Sequence, residues 1–260
     1  NHPPLHFMLL HTMSSLFRGT VARFLGCFLN ILAILGCGAC FFGLGRFLEE
    51  RGILPAGAGK LGVICACLLY GLSAGGIATA LLIRMYGLMT FFCVALFYLH
   101  VKKWLEGSFD KRNKGLAAVT VCGFLPQYFF LFYCLALAAV AAAALGAGKR
   151  YRELKAYVRT MALAAVIGVA AFPFSIQDVL SSGRGEEALR NLWQGLSGYG
   201  ERLAAFGRIL LGASFGSPLL GIVLLVLMGF CLWLLWRRRR ACGEGRASTE
   251  KGQKVLWLML

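Results

Sequence analysis

Residues 21–45 read VARFLGCFLNILAILGCGACFFGLG, an apolar run in which Arg23 is the only charged residue. A helix needs about 20 mostly apolar residues to cross the hydrocarbon core of a bilayer. The run is long enough for one crossing, and charged residues return directly after it at Arg46 and at 49–51. We therefore predict a transmembrane helix here.

The composition extends this interpretation to the whole chain. Of its 260 residues, 59% are hydrophobic and 15% are charged, whereas soluble domains carry about 25% charged residues. The mean hydropathy of +0.72 excludes an ordinary soluble enzyme and a disordered segment. The net charge of +16 comes from short basic clusters between apolar runs, so no nucleic-acid partner is predicted. The chain is predicted to be an integral membrane protein.

Further apolar runs repeat the pattern along the chain. The run over 115–148 is too long for one crossing, and Pro126 divides it into two predicted helices, of which the first is short. The fold predicted is an all-α, polytopic transmembrane helical bundle that forms part of one multi-pass membrane domain over 1–260. Its segments are an outer interfacial helix at 1–20, transmembrane helices over 21–174 (runs at 21–45, 61–82, 86–101, 115–148 and 160–174), an outer loop at 175–207, and further transmembrane helices over 208–260 (runs at 208–236 and from 255).

The basic residues orient the bundle. Cytoplasmic loops of membrane proteins carry an excess of Lys and Arg. If alternate loops are cytoplasmic, they carry 20 of the 27 Lys and Arg residues, including every lysine; these loops are 46–60, 102–114, 149–159 and 237–254. The turn near Arg84, the hinge at Pro126 and the segment 175–207 are then predicted to face outward.

Two outward segments are predicted to be more than simple loops. Residues 3–17 place apolar side chains at helical spacing after two prolines, which suits a helix lying in the membrane interface. The segment 175–207 holds several acidic residues and is predicted to lie over a site as a lid. Neither end of the chain reads as a terminus, so we expect an internal part of a longer protein.

Three outward motifs occur in a definite order. The first is NHPPLHFMLLH at 1–11, followed by SLFRG at 15–19; the others are IRMYGL at 83–88 and LPQYFF at 125–130. Together they resemble the H-P-P-L, R-M-Y and L-T-H-Y-Y-F motifs of bacterial GT-C membrane glycosyltransferases. These enzymes are similar to protein O-mannosyltransferases and lipid A aminoarabinose transferases. The resemblance extends over residues 1 to about 210.

The resemblance implies an activity and its partners. Such enzymes move a sugar from a polyprenyl-phosphate carrier to a glycan, lipid or protein acceptor on the outer face of the bacterial plasma membrane. A carboxylate acts as general base on the acceptor hydroxyl in an inverting transfer. In the family this carboxylate precedes the H-P-P motif, so the resemblance implies a position before Asn1 and no catalytic residue within this chain.

Candidate site residues follow from the matched motifs. The resemblance places His2 near the carrier phosphate, although a helix-entry histidine that faces water explains it equally well. Arg84 stands at an outer helix end, where the charge bias disfavours it, and its guanidinium suits phosphate; the alternative is snorkelling to lipid headgroups. The remaining candidates are predicted to line the outward cavity, with interfacial anchoring as the alternative for the tyrosines: His6, Tyr86, Gln127 and Tyr128.

The cofactor stays open at this point. His2 and His6 are four residues apart, a spacing that allows two metal ligands on one helix face, but the family usually has Tyr at the second position. No metal site is therefore predicted, although a divalent metal is one way to stabilise a departing phosphate. His11 and His100 are interpreted as polar anchors, and the ten cysteines as small, mostly buried hydrophobic residues.

Two other classes of function compete with the glycosyltransferase. A membrane transporter or lipid flippase also has basic inner loops and a proline-hinged helix, but usually carries ionisable residues within its spans. A membrane scaffold without catalytic activity leaves the order of the outer motifs unexplained. The sequence favours the enzyme.

Overall fold

The computed structural model describes residues 4–16, 21–55, 57–81, 84–111, 113–127, 129–174 and 199–217, and, beyond these, 219, 221–223, 225–226 and 229–230. Within these ranges the regular structure is entirely α-helical. The helices are α1 (Pro4–Leu16), α2 (Val21–Glu50), α3 (Ala58–Leu72), α4 (Ala74–Leu81), α5 (Tyr86–Glu106), α6 (Lys114–Phe124), α7 (Phe130–Ala147), α8 (Tyr151–Ala171) and α9 (Tyr199–Phe215).

Four of the described helices are long and apolar enough to cross a membrane: Gly26–Glu50 within α2, then α5, α7 and α8. The predicted all-α transmembrane bundle is confirmed. The run of 61–82, predicted as one span, is interrupted, since α3 ends at Leu72, α4 begins at Ala74 and the two helices meet at an angle of 67°. They provide a fifth crossing only if they are counted together as one broken span. Ser73 occupies the break with an extended ψ of 146°. Its Oγ donates to the carbonyl of Tyr70 and accepts from the amide of Gly76, both at 2.9 Å.

The division of residues 115–148 at Pro126 is confirmed. The short helix α6 ends at Phe124 and α7 begins at Phe130. Proline lacks an amide hydrogen and cannot continue a helix without a break. The first residue of α7 turns its ring over Gly123 of α6, so the two helices pack directly at the hinge.

The prediction of a cytoplasmic loop over 149–159 is wrong in its extent. The structure has only a short connection there, because α8 begins at Tyr151. Glu153 lies in the first turn, where a carboxylate favours the positive end of the helix dipole. Tyr157 is 1% exposed, so one face of this charged turn is buried. The charges that resemble a loop in the sequence belong to the exposed face of a helix.

The interior of the bundle lies between α5, α6, α7 and α8. Its fully buried members include Leu96, Phe109, Leu116 and Tyr157. Helices α2 and α3 instead meet through small residues, since a Cβ added to Gly59 would lie 2.5 Å from the carbonyl oxygen of Gly45. Such close backbone contact is typical of helix pairs in membranes, where packing replaces the hydrophobic effect.

Hydrogen bonds and ion pairs join the inner helix ends. Oε2 of Glu153 accepts from the amide of Phe109 at 3.2 Å, and Glu153 also pairs with Arg150. Arg152 pairs with Asp110, which joins the α5–α6 connection to α8 a second time.

Only part of the C-terminal prediction falls on described residues. The segment 175–198 of the predicted outer lid lies outside them, as do residues 231–260. Helix α9 begins at Tyr199, inside the predicted loop 175–207, and ends at Phe215. Gly216 follows with φ of 74°, which interrupts the run of 208–236 near its start.

Candidate functional site

Arg84 lies in the turn between α4 and α5, at the end of the bundle that the charge bias predicts to face outward. Its side chain is exposed, and it makes no hydrogen bond or ion pair with the residues that the structure describes. The neighbouring Met85 is 5% exposed and anchors the turn in the interior, whereas Tyr86, the first residue of α5, is 39% exposed. The motif therefore exposes the guanidinium of Arg84 and the phenol of Tyr86 at the surface of the bundle, while Met85 between them is buried.

Helix α2 holds this turn through two side chains. Nδ2 of Asn30 donates to the carbonyl oxygen of Thr79 at 3.1 Å, and Sγ of Cys27 donates to that of Leu81 at 3.5 Å. The last four carbonyl groups of any helix have no partner within it. Side chains of α2 thus satisfy two of these groups at the end of α4.

His6 is deeply buried, although the sequence places it on an interfacial helix. It is 1% exposed, and neither ring nitrogen has a hydrogen-bond partner among the described residues. The amide of its neighbour Leu5 donates to the carbonyl oxygen of Leu125 at 3.3 Å, so the start of α1 is docked on the α6–α7 turn. Burial lowers the pKa of His6 from its ordinary value of 6.5, which favours the neutral imidazole.

Gln127 belongs to the same junction. It is 4% exposed, and its Oε1 is buried without a partner. Gln127 follows Leu125 by two residues, and His6 follows Leu5 by one. The Leu5–Leu125 hydrogen bond therefore places both residues in the same region, where α1 meets the α6–α7 turn. A neutral imidazole and an amide offer both donors and acceptors without a net charge.

The remaining predicted site residues divide as follows. His2 and Tyr128 lie outside the described residues, so their predicted roles stay predictions. His6 and Gln127 belong to two segments, the start of α1 and the α6–α7 turn, that the Leu5–Leu125 hydrogen bond joins, and Arg84 and Tyr86 both lie at the α4–α5 turn. In the described part of the chain, no three His, Cys, Asp or Glu side chains gather as a possible metal site.

A long apolar groove of about 690 Å³ separates α7 from α8. Its walls reach from Tyr157 and Val158 in the inner half to Phe130 and Val169 near the outer ends of their helices. Small side chains form much of the surface, among them Ala138, Ala139, Ala142, Ala162, Ala164, Ala165 and Gly168. The apolar lining suits a hydrocarbon chain, and the volume lies within the range of about 300–1,000 Å³ that is typical of ligand pockets.

Two polar groups inside the bundle were missed by the sequence reasoning. Asn30 is 0% exposed within a long apolar run, and an isolated amide in a predicted span is the signal that indicates a helix contact. His100 was interpreted as a polar anchor, but it is also 0% exposed and its Nε2 lies 2.9 Å from the hydroxyl of Tyr157. Its burial follows from the helix-to-helix contact, which no local pattern reveals.

The exposed guanidinium of Arg84 can therefore bind an anionic group, whereas the polar side chains of His6 and Gln127 are buried. A guanidinium offers several donors in one plane, which suits the oxygens of a phosphate. The described part of this end contains no buried carboxylate that could act as a base. No family model, no curated protein and no solved structure matches this chain.

Proposed function

We propose that the chain is part of a membrane glycosyltransferase that takes its sugar from a polyprenyl-phosphate carrier and transfers it on the outer face of the membrane. One observation carries the proposal. Arg84 is exposed at a helix end predicted to face outward, without a partner among the described residues, and its turn is held by two side chains of α2, of which Asn30 is fully buried. A cation fixed at this depth is suited to the phosphate of a membrane-bound lipid.

The apolar groove supports a lipid carrier. It is lined by α6, α7 and α8, and it extends to Phe130, the first residue of α7 after the hinge. A hydrocarbon chain that lies there enters from the bilayer without crossing water. Its headgroup then lies on the side of the membrane to which Arg84, His6 and Gln127 belong.

The neutral pair at the hinge suits the sugar or the acceptor. A buried hydrogen-bonding group without a partner costs about 1–3 kcal/mol. His6 and Gln127 carry three such atoms, and the hydroxyl groups of a sugar would satisfy them. The proposal assigns no catalytic residue to this chain.

Turnover of a polyprenyl-phosphate sugar by membranes that contain the full-length protein tests the proposal. Arg84→Ala is expected to lower turnover by roughly ten- to a hundred-fold, because a hydrogen bond to a charged group contributes about 1.5–3 kcal/mol. Arg84→Lys should restore only part of the rate, since an ammonium cannot make the same paired contacts. Turnover is normalised to the amount of protein in the membrane.

Arg208→Ala is the matched control, because Arg208 is an exposed arginine on α9. It should leave turnover near the wild-type value. Equal rates for the wild-type and Arg84→Ala proteins would remove Arg84 from the site and leave it as a lipid anchor. No turnover by the wild-type protein with any polyprenyl-phosphate sugar would overturn the proposed reaction.

A transporter is the second candidate, and the break between α3 and α4 is the observation that favours it. Transporters often bind their substrates at discontinuous helices near the middle of the membrane. Uptake into vesicles by the purified full-length protein, with no sugar transfer, would support this candidate. Replacing Ser73 by Ala removes both side-chain hydrogen bonds at the break and should then alter uptake.

A further inference from the structure

We infer that Asn30, in the first long span, is the positioning residue for Arg84. The role of this position in sugar transfer rests on the proposed function, whereas the contacts that hold the turn do not depend on it. Asn30 is 0% exposed and lies on α2, whereas Arg84 lies in the turn between α4 and α5. Three contacts link α2 to the two sides of the Arg84 turn.

The first side is the end of α4. Nδ2 of Asn30 donates to the carbonyl oxygen of Thr79 over 3.1 Å, five residues before Arg84. One helical turn earlier on α2, Sγ of Cys27 donates to the carbonyl oxygen of Leu81 over 3.5 Å. Both carbonyls belong to the last turn of α4, so α2 fixes the point where the chain leaves that helix.

The second side is the start of α5. A Cβ added to Gly87 would lie 2.9 Å from Oδ1 and 3.2 Å from Cγ of Asn30. Glycine is therefore required three residues after Arg84, because any larger residue would push the amide away. The Asn30 side chain thus contacts the chain both before and after the turn. These two contacts fix the position of the exposed Arg84, which lies between them.

The chemistry of an amide suits this task. Its NH₂ group satisfies an otherwise unpaired helix carbonyl, while its flat carbonyl side packs against glycine. Leucine has a similar size but no donor, and replacing Asn30 by Leu would leave the carbonyl of Thr79 without this partner in an apolar environment. An average side-chain hydrogen bond between membrane helices corresponds to roughly a threefold change in an equilibrium constant.

The first test measures position without reference to activity. A membrane-impermeant maleimide is applied to cells that carry Arg84→Cys in the full-length protein, and labelling is counted above that of the parent, which keeps its native cysteines. Adding Asn30→Leu should change the labelling rate of Cys at position 84 by roughly threefold or more. Gly87→Ala should do the same while keeping the amide, which provides a second variant if Asn30→Leu does not reach the membrane.

Asn113→Leu is the matched control. Asn113 donates to Phe109 and to Thr160 at the inner end of the bundle, so the same substitution there also removes a half-buried amide. Its labelling rate at position 84 should equal that of the parent. An unchanged rate in folded Asn30→Leu and Gly87→Ala proteins would overturn the inference.

The second test is a double-mutant cycle on sugar transfer. Asn30→Leu should lower turnover roughly threefold to tenfold when Arg84 is present and cause no further loss in Arg84→Ala. A general loss of structure would lower both backgrounds equally, and that result would overturn the positioning role. If the wild-type protein transfers no sugar, the proposed function fails, and the labelling result alone decides whether Asn30 positions this turn.

Discussion

Tyr157 of α8 donates its hydroxyl hydrogen to Nε2 of His100 of α5, over a distance of 2.9 Å. The direction follows from the other ring nitrogen, Nδ1, which lies 2.8 Å from the carbonyl oxygen of Leu96 and must carry the hydrogen. The two side chains are 0% and 1% exposed. Two crossings of the membrane are therefore joined by one neutral hydrogen bond inside the bundle.

Removing that hydrogen bond should weaken the bundle. Tyr157→Phe keeps the ring but leaves Nε2 of His100 buried without a partner, so we expect a loss of about 1–2 kcal/mol. Thermal unfolding of the purified protein in detergent measures the effect. Tyr151→Phe is the control, since Tyr151 is 65% exposed, and it should unfold with the wild-type protein. Equal stability of both variants would contradict a structural role for this hydrogen bond.

Ion pairs of the same kind should differ in their contribution according to burial. Glu153 pairs with Arg150 at 2.5 Å with the carboxylate only 16% exposed, while Glu50 pairs with Arg46 at 2.7 Å and is 58% exposed. Glu153→Gln should destabilise the protein by about 1–3 kcal/mol, because the amide of Phe109 also loses a charged acceptor.

Glu50→Gln should change stability by less than about 0.5 kcal/mol, since exposed pairs are screened by water. The measurement is chemical unfolding in the same detergent. A larger effect for Glu50→Gln than for Glu153→Gln would show that the inner-end contact between α8 and Phe109 contributes little.

Stability should depend on pH through His6. Its pKa is lowered by burial, so the unfolded chain binds the proton more readily than the folded chain. Stability is then greatest above pH 6.5, and it falls as the pH drops through 6.5 toward the lower folded value. His6→Phe should remove this part of the pH dependence. Unfolding midpoints between pH 5 and 8 provide the comparison.

The orientation can be tested by labelling from outside the cell. Cysteines placed at the exposed positions Arg202 and Lys111 should react differently with an impermeant maleimide. The first belongs to the predicted outer segment and should be labelled, whereas the second lies in a predicted cytoplasmic loop and should be labelled only after permeabilisation. Labelling of position 111 in intact cells would reverse the orientation.

The long helices and the break at Pro126 were predictable, since they depend on local chemistry. The breaks at Ser73 and Gly216 were not, because they fall inside apolar runs that predict continuous helices. The apolar run of 21–45 is a helix because no other structure can satisfy its backbone in lipid. Pro126 divides α6 from α7 because proline has no amide hydrogen. The start of α8 was not predictable in the same way. Its charges resemble a loop, and only the burial of Tyr157 against α5 shows that they lie on one side of a helix.

Some residues of the candidate site could be predicted from the sequence, but the contacts that bury them or hold them in place could not. Arg84 is visible in the sequence as an arginine on the side where charge is disfavoured. The burial of His6 depends on the docking of α1 onto Leu125, which is about 120 residues away in the chain. Asn30 shows no local pattern beyond its polarity, because its role arises from the approach of Gly87 on another helix. Contacts of this kind require the three-dimensional structure.

Because the groove runs along α8 toward its outer end and the polar contacts lie at its inner end, the two leaflets of the bilayer should affect the packing of α8 to different degrees. In the inner leaflet, moving α8 away from its neighbours breaks the contacts of Glu153 and Arg152. In the outer leaflet, moving α8 away from α7 exchanges apolar side chains for lipid tails of similar polarity, at little cost. The width of the groove should therefore change with the thickness and chain order of the outer leaflet. Changes in the inner leaflet should move α8 less, because the contacts of Glu153 and Arg152 hold that end of the helix in place.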